Sequence, residues 1–461
     1  MSRLAAGASL GALGAILLVV ACGGPRETHT PTPTPAPLDA GAPAADAGAP
    51  RARAPKPPED EDARMIVKML KRVSAARGLP AKKPVPGVSL GRAALIGKIK
   101  DKVQREVPPE VIVHEGEWLK LFGFVPVEFD YLDTMMKLLE AQLAGFYEPK
   151  DGTMYLAEDL DAINADATLA HELVHALQDQ HWDLKAKSDY KEGASDEQLA
   201  YSALAEGEAT SVMTDIMLST MAKGKTALDV DEDDFEEQLL GGMNTGPSAR
   251  APHVLRTSLA APYIQGTRFV HAVRRKSGWK GVDAVWARPP TTTEQILHLD
   301  KWEKNEPVLV VPVPTFAALG AGYKADVPDS SGELGIMLAF AEWMGDDKAK
   351  EVAADWGGDR GNLYLKGNEV AAAVRLRYDA STPGAKRAFA ALTASWPKAI
   401  GKISMQDASF ACVERKDTGP IAVSIKGDDI LLTAGPVETK PRWASKGTCK
   451  LAKTWATEVL K

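Results

Sequence analysis

Leu169-Ala170-His171-Glu172-Leu173-Val174-His175-Ala176-Leu177-Gln178-Asp179-Gln180-His181 carries more chemistry than any other stretch of the 461 residues. Leu169, Leu173 and Leu177 recur every four positions, with Ala170, Val174 and Ala176 between them, which predicts a buried helix over 166–183. His171 and His175, four apart, project from one face of such a helix. Two imidazoles so placed reach a single zinc ion at about 2.0–2.1 Å. Glu172 points to the adjacent side, where it serves as a general base toward a metal-activated water. Burying these three polar groups in an apolar frame without a cation would cost several kcal/mol.

A zinc site of this kind needs a third ligand, and a second helix over 196–222 offers one. It begins Ser195-Asp196-Glu197-Gln198, a capping-box pattern. At ~100° per residue from Leu199 the apolar stripe is Leu199, Ala203, Ala209, Met213, Ile216 and Met217, and Glu206 falls inside it at ~340°. A carboxylate in an apolar stripe calls for a cation, so Glu206 is the expected ligand. Glu208 falls at ~180°, beside Tyr201 and Asp215, and is expected as a surface acid held in reserve. Gly207 would let the two helices approach closely.

His171-Glu172-x-x-His175 with a Glu on a following helix resembles the gluzincin branch of the zincin metallopeptidases, the thermolysin-like superfamily. More narrowly, a group of bacterial zincin-like proteins is resembled in Gly145-Phe146-Tyr147, His171 to Gln180, Glu206-Gly207-Glu208-Ala209 and Pro290-Thr-Thr-Thr-Glu294-Gln295-Ile-Leu-His298. The likeness covers about residues 130–300, with weaker similarity through Trp356-Gly-Gly-Asp-Arg360. The gap from His175 to Glu206 is longer than the thermolysin-type spacing, so the third ligand rests on helical phase. The resemblance implies a zinc-dependent endopeptidase acting on peptide or protein substrates. It implies Zn2+ on His171, His175 and Glu206, with Glu172 as base.

An oxyanion donor completes such a site, and His298 and Tyr263 are the candidates. Asp179, one turn beyond His175, is positioned to orient an imidazole. His181 is expected at the surface. In zincins the strand beside the active-site helix pairs with extended substrate, and Met154-Tyr155-Leu156 is the expected edge. A relative that holds zinc as a binding or assembly lipoprotein, cleaving nothing, is one alternative, against which the intact Glu172 argues; a zinc-dependent hydrolase of a non-peptide bond is a second.

Outward from this centre the chain reads as α+β and predominantly helical. Expected helices lie at 65–76, 91–107 and 129–143, then at 260–277, 282–287 and 293–302, and later at 331–355 and 384–394. Pro149-Lys-Asp-Gly152 between apolar runs predicts a hairpin over 145–156, and Lys426-Gly-Asp-Asp429 predicts another. Val308 to Val313 reads as a strand. The expected division is a zincin-like catalytic domain with a small edge-strand sheet over 62–325, and a smaller α/β accessory part over 326–461.

The start of the chain gives an address. Arg3, an apolar run from Leu10 to Val20, and Ala21-Cys22-Gly23-Gly24 describe a secretory signal over 1–22. Val19-Val20-Ala21-Cys22 resembles a lipobox, so a lipidated Cys22 is expected to hold the protein at the cell envelope, best as an outer-membrane lipoprotein. Thr30-Pro-Thr-Pro-Thr-Pro-Ala-Pro37 and the Ala/Gly/Asp/Pro repeats after it make 23–61 a tether. With 62 acidic against 55 basic side chains, net −7, no broad basic surface for nucleic acid is expected. Cys412 and Cys449 are then the remaining thiols, most simply a disulfide in an oxidising compartment, otherwise two buried thiols.

Overall fold

The structure, a computed structural model, describes residues 59–461. The expected signal, the lipidated Cys22 and nearly all of the tether lie outside the described residues. The first helix, Glu59–Arg77, starts three residues inside the expected tether. No described helix is long and apolar enough to cross a membrane.

The architecture is α+β and mostly helical, with two separate sheets. The small sheet has three strands, β1 (Gly87–Leu90), β2 (Gly145–Glu148) and β3 (Thr153–Ala157), in the order β1-β3-β2. β2 and β3 form the expected antiparallel hairpin, with Phe146 opposite Tyr155. β1 then pairs with β3 in parallel, Val88 opposite Tyr155. The expected edge strand Met154-Tyr155-Leu156 is therefore central, and β2 is an edge. The run of buried residues in β3, Met154 to Ala157, is the pattern of a strand covered on both faces. β1 was illegible because it is short and enters through Pro84 and Pro86.

The motif helix spans Ala162–Trp182 and is capped by Asp161, whose carboxylate accepts from the N–H groups of Ile163 and Asn164. Its Leu169, Leu173 and Leu177 pack against Ile66, Met69, Leu70 and Val73 of the first helix and against Tyr147 and Met154 of the small sheet. The carboxylate helix, Ser195–Met221, follows, and then the long helix His253–Ala287, whose one non-helical residue is Gly278 at φ 62°. That single element replaces two expected helices. The expected 331–355 helix is instead two, Gly332–Met344 and Asp346–Ala353, parted at Gly345 with φ 80°.

Val308 to Val313 is not a strand. Val308, Leu309, Val310 and Val313 are exposed, and Val311 alone is buried. Pro307, Pro312 and Pro314 bring no backbone donor, so no ladder forms, although Leu309 N–H still donates to Gly357 O at 2.7 Å.

The second sheet runs in the order β4-β5-β6-β10-β9-β8-β7, with β11 on β10. Its members are β4 (Lys324–Ala325), β5 (Trp356–Lys366), β6 (Glu369–Tyr378), β7 (Met405–Gln406), β8 (Phe410–Val413), β9 (Ile421–Lys426), β10 (Asp429–Glu438) and β11 (Ala444–Ser445). Alternation sorts its two faces. Ala372, Val374, Val423, Ile430 and Leu432 meet helices Gly332–Met344 and Gly384–Ala399. Ala371, Ala373, Cys412, Ala422 and Leu431 meet the C-terminal helix Cys449–Val459. Cys412 and Cys449 form a disulfide between β8 and that helix. Packing is continuous across residue 325: the ring centroids of Phe124 and Trp343 are 5.1 Å apart within one cluster.

Candidate metal centre

Three donor atoms from two helices converge beside the small sheet. His171 Nε2 and His175 Nε2 are 3.1 Å apart, and Glu206 Oε2 lies 3.0 Å from the first and 3.5 Å from the second. A tetrahedral cation with bonds of about 2.05 Å sets its ligand atoms roughly 3.3 Å apart, so the triangle has the dimensions of a zinc-ligand face. His171, His175 and Glu206 are each 1% exposed or less. Glu206 Oε1 and His171 Nδ1 find no hydrogen-bond partner among the described residues. A sealed carboxylate facing two imidazoles, one of its oxygens unpaired, fits a cation.

Electrostatics point the same way. Burial disfavours the charge on Glu206, but the two imidazoles outweigh it and hold the carboxyl below its ordinary range. Burial also works against a charged His175; Glu206 and Glu172 reverse the balance and push it up to about 9. His171 is held low by burial. The buried carboxylates thus favour positive charge beside them, which a proton on His175 or a cation in its place supplies.

Glu172 lies one residue after His171 and is equally buried. Its Oε2 accepts the backbone N–H of Tyr147 on β2 at 2.9 Å, which ties the strand to the motif helix. Burial, with Glu206 adding to it, pushes the Glu172 carboxyl up to about 8. A carboxyl so placed exchanges a proton near neutral pH.

The remaining candidates separate. Tyr263 comes from the long helix to stand beside the centre, its ring centroid 5.9 Å from that of His171. His298 instead holds Glu333, Nε2 to Oε1 at 2.9 Å, and is part-exposed. Asp179 does not orient an imidazole; it accepts the Tyr147 hydroxyl at 2.9 Å. His181 is half-buried, its Nε2 meeting Pro80 O at 2.9 Å, away from the donor triangle.

Glu208 is a correction. It is wholly buried, not a surface acid, and is ion-paired with Arg77 from the first helix. The stripe that placed it outside does not exist, because the carboxylate helix is enclosed on every side from Gln198 to Val212. Gly207 does serve close approach, but to another partner: an added Cβ there would sit 2.1 Å from the backbone of Gly266 on the long helix. Gln178 went unnoticed in the sequence. Its Oε1 meets His175 Nδ1 at 2.8 Å, and at three residues beyond His175 its spacing alone was the available signal.

Comparison of the chain with family models, with curated proteins and with solved structures finds no match.

Proposed function

We propose that the protein is a zinc-dependent endopeptidase of gluzincin type, with a zincin-like catalytic part, anchored at the cell envelope through Cys22. The observation that carries the reading is the triangle of His171, His175 and Glu206 with a buried carboxyl, Glu172, beside it. Two imidazoles and a carboxylate are a donor set of hydrolytic zinc sites, which leave a position for water or substrate. A zinc ion held there supplies Lewis acidity, polarising a carbonyl and making water acidic near neutrality.

The chain's own residues do the rest. Glu172 takes a proton from the attacking water on Oε1, because Oε2 is engaged by Tyr147 N–H, and returns it to the departing amine. Glu206 and the two imidazoles hold the donor face rigid through helix packing. Tyr263, beside His171, is the better placed of the two oxyanion candidates; His298 is spent on Glu333. β2, an edge of the small sheet joined to Glu172, replaces β3 as the strand along which an extended peptide pairs.

A second reading, a lipoprotein that holds zinc and cleaves nothing, is favoured by the enclosure of the centre, with Glu172 only 1% exposed. One experiment separates the two. Purified protein is expected to contain about one zinc per chain and to digest an unfolded protein, while Glu172→Gln keeps the metal and loses digestion. Zinc retained by both forms with no turnover on any peptide library would establish the second reading.

A further inference from the structure

We infer that Gln178 is a positioning residue that fixes the ring of His175 for the metal, and that Glu208 and Arg77 hold it in place. The inference rests on the zinc reading and adds to it a role for the first helix: Glu59–Arg77 is a working part of the centre rather than a removable covering.

The argument begins at one amide. Gln178 Nε2 donates to Ala205 O at 3.0 Å and to Glu208 Oε2 at 2.8 Å. Both partners only accept, so the nitrogen must face them and the oxygen must face His175. Gln178 Oε1 lies 2.8 Å from His175 Nδ1, which therefore carries the hydrogen. In the neutral ring, the form that ligates a metal, the lone pair is then on Nε2, the atom directed at His171 and Glu206. Reversing the amide would set its oxygen against a carbonyl and a carboxylate. The tautomer of His175 is thus determined two bonds away, by Glu208.

Glu208 is fixed in turn. It accepts Trp286 Nε1 at 2.7 Å on the oxygen that Gln178 uses, and pairs with Arg77 Nε through the other. Arg77 is 1% exposed, bonds Asp283 Oδ1 at 2.6 Å, and has its guanidinium over Trp279 at 4.6 Å and Trp182 at 5.5 Å. A guanidinium enclosed this way has a single arrangement open to it. It is the last residue of the first helix, whose Ile66, Met69, Leu70 and Val73 pack on the motif helix. A fixed chain of partners therefore runs from Arg77 through Glu208 and Gln178 to the ring of His175. His171 has nothing comparable, since its Nδ1 is without a partner among the described residues.

A purely structural ion pair would make the same contacts but would not set metal affinity, and this decides the test. In the full chain, zinc affinity is measured by competition with a chromophoric chelator, alongside the melting temperature of the metal-free protein and the nitrogen NMR shifts of the neutral His175 ring, recorded above its pKa. Gln178→Leu is expected to weaken zinc about 10–100-fold and to turn a single Nδ1–H tautomer into a mixture. Glu208→Gln, which keeps the shape but lets the amides reverse, is expected to move both readouts in the same direction; it carries the test where Gln178→Leu does not fold. Arg77→Met with Glu208→Gln removes both charges together, and is expected to fold better than Arg77→Met alone. Zinc affinity in Gln178→Leu within about twofold of wild type, with the tautomer unchanged, overturns the inference. A wild-type chain that binds no zinc sinks the metal reading itself, which is a different result.

Discussion

Glu206 has an unpaired oxygen in a sealed site, and its substitution is the sharpest probe of the donor set. Glu206→Gln is expected to lower zinc affinity by at least about 100-fold in chelator competition while the far-ultraviolet spectrum is kept; unchanged affinity would remove Glu206 from the ligands. Tyr263→Phe is expected to keep zinc and lower kcat about 100-fold with KM little changed. Equal loss in His298→Ala, which the ion pair with Glu333 marks as a stability position, would reverse that assignment. The spacing of His171, Glu172 and His175 was readable because one helix fixes it. Glu206 was reached by a phase argument whose stripe does not exist, since neighbours cover the helix on all faces there. What periodicity hides is a helix with no outside, and that is why Glu208 was misplaced. Gln178 has no charge to mark it in the sequence, yet its amide is the group that both donates and accepts at this position.

Between elements, contact distance dominates. The carboxylate helix and the long helix touch backbone to backbone at Gly207 and Gly266, with no room for a methyl group. Gly207→Ala is expected to destabilise the fold by about 3 kcal/mol or more. Gly97→Ala, on the helix Arg92–Glu106 with nothing within 4 Å, is expected to stabilise it by about 0.5–1 kcal/mol. Denaturant midpoints check both; a neutral Gly207→Ala would mean that the helices separate readily. Asp196, at the start of the carboxylate helix, joins it to Thr293 through the Thr293 N–H and hydroxyl at 2.8 and 2.6 Å. Burial pushes this carboxyl up to about 8, against the hydrogen bonds from Thr293 that favour its charge. The unfolded chain loses that proton near pH 4 and the folded chain keeps it to about pH 8, so stability falls as pH rises between the two. Asp196→Asn is accordingly expected to gain about 1–3 kcal/mol at pH 8 and almost nothing at pH 4. Equal effects at both pH values would refute the assignment. Hairpins were readable from turn residues, and β1 and the extended run Val308 to Val313 were not, because prolines govern both and one gains a partner while the other does not.

Over the whole molecule, the division near residue 325 marks a change of architecture while the core runs through it, joining Trp118 and Phe122 to Trp343 and Leu363. Of the second sheet only the hairpin of β9 and β10 was legible from turn residues; β5 and β6 were not, and shared packing is set by contacts distant in sequence, which local patterns do not carry. The Cys412–Cys449 disulfide closes a separation of 37 residues at the far end of the second sheet. Reduction is expected to cost about 3–4 kcal/mol of stability by loop entropy while leaving any bound zinc in place, measured by melting with and without reductant. Zinc release on reduction would mean that the two ends of the molecule are coupled.

The enclosure of the four residues at the centre sets a kinetic condition on everything that happens there. On the proposed function, an ion would leave and a peptide would enter only when the surrounding walls breathe, and both journeys would use the same rare openings. The exchange rate of an isotopically labelled cation would then be a clock for the same opening that admits substrate. Crowding agents or stiffer walls would slow the two together.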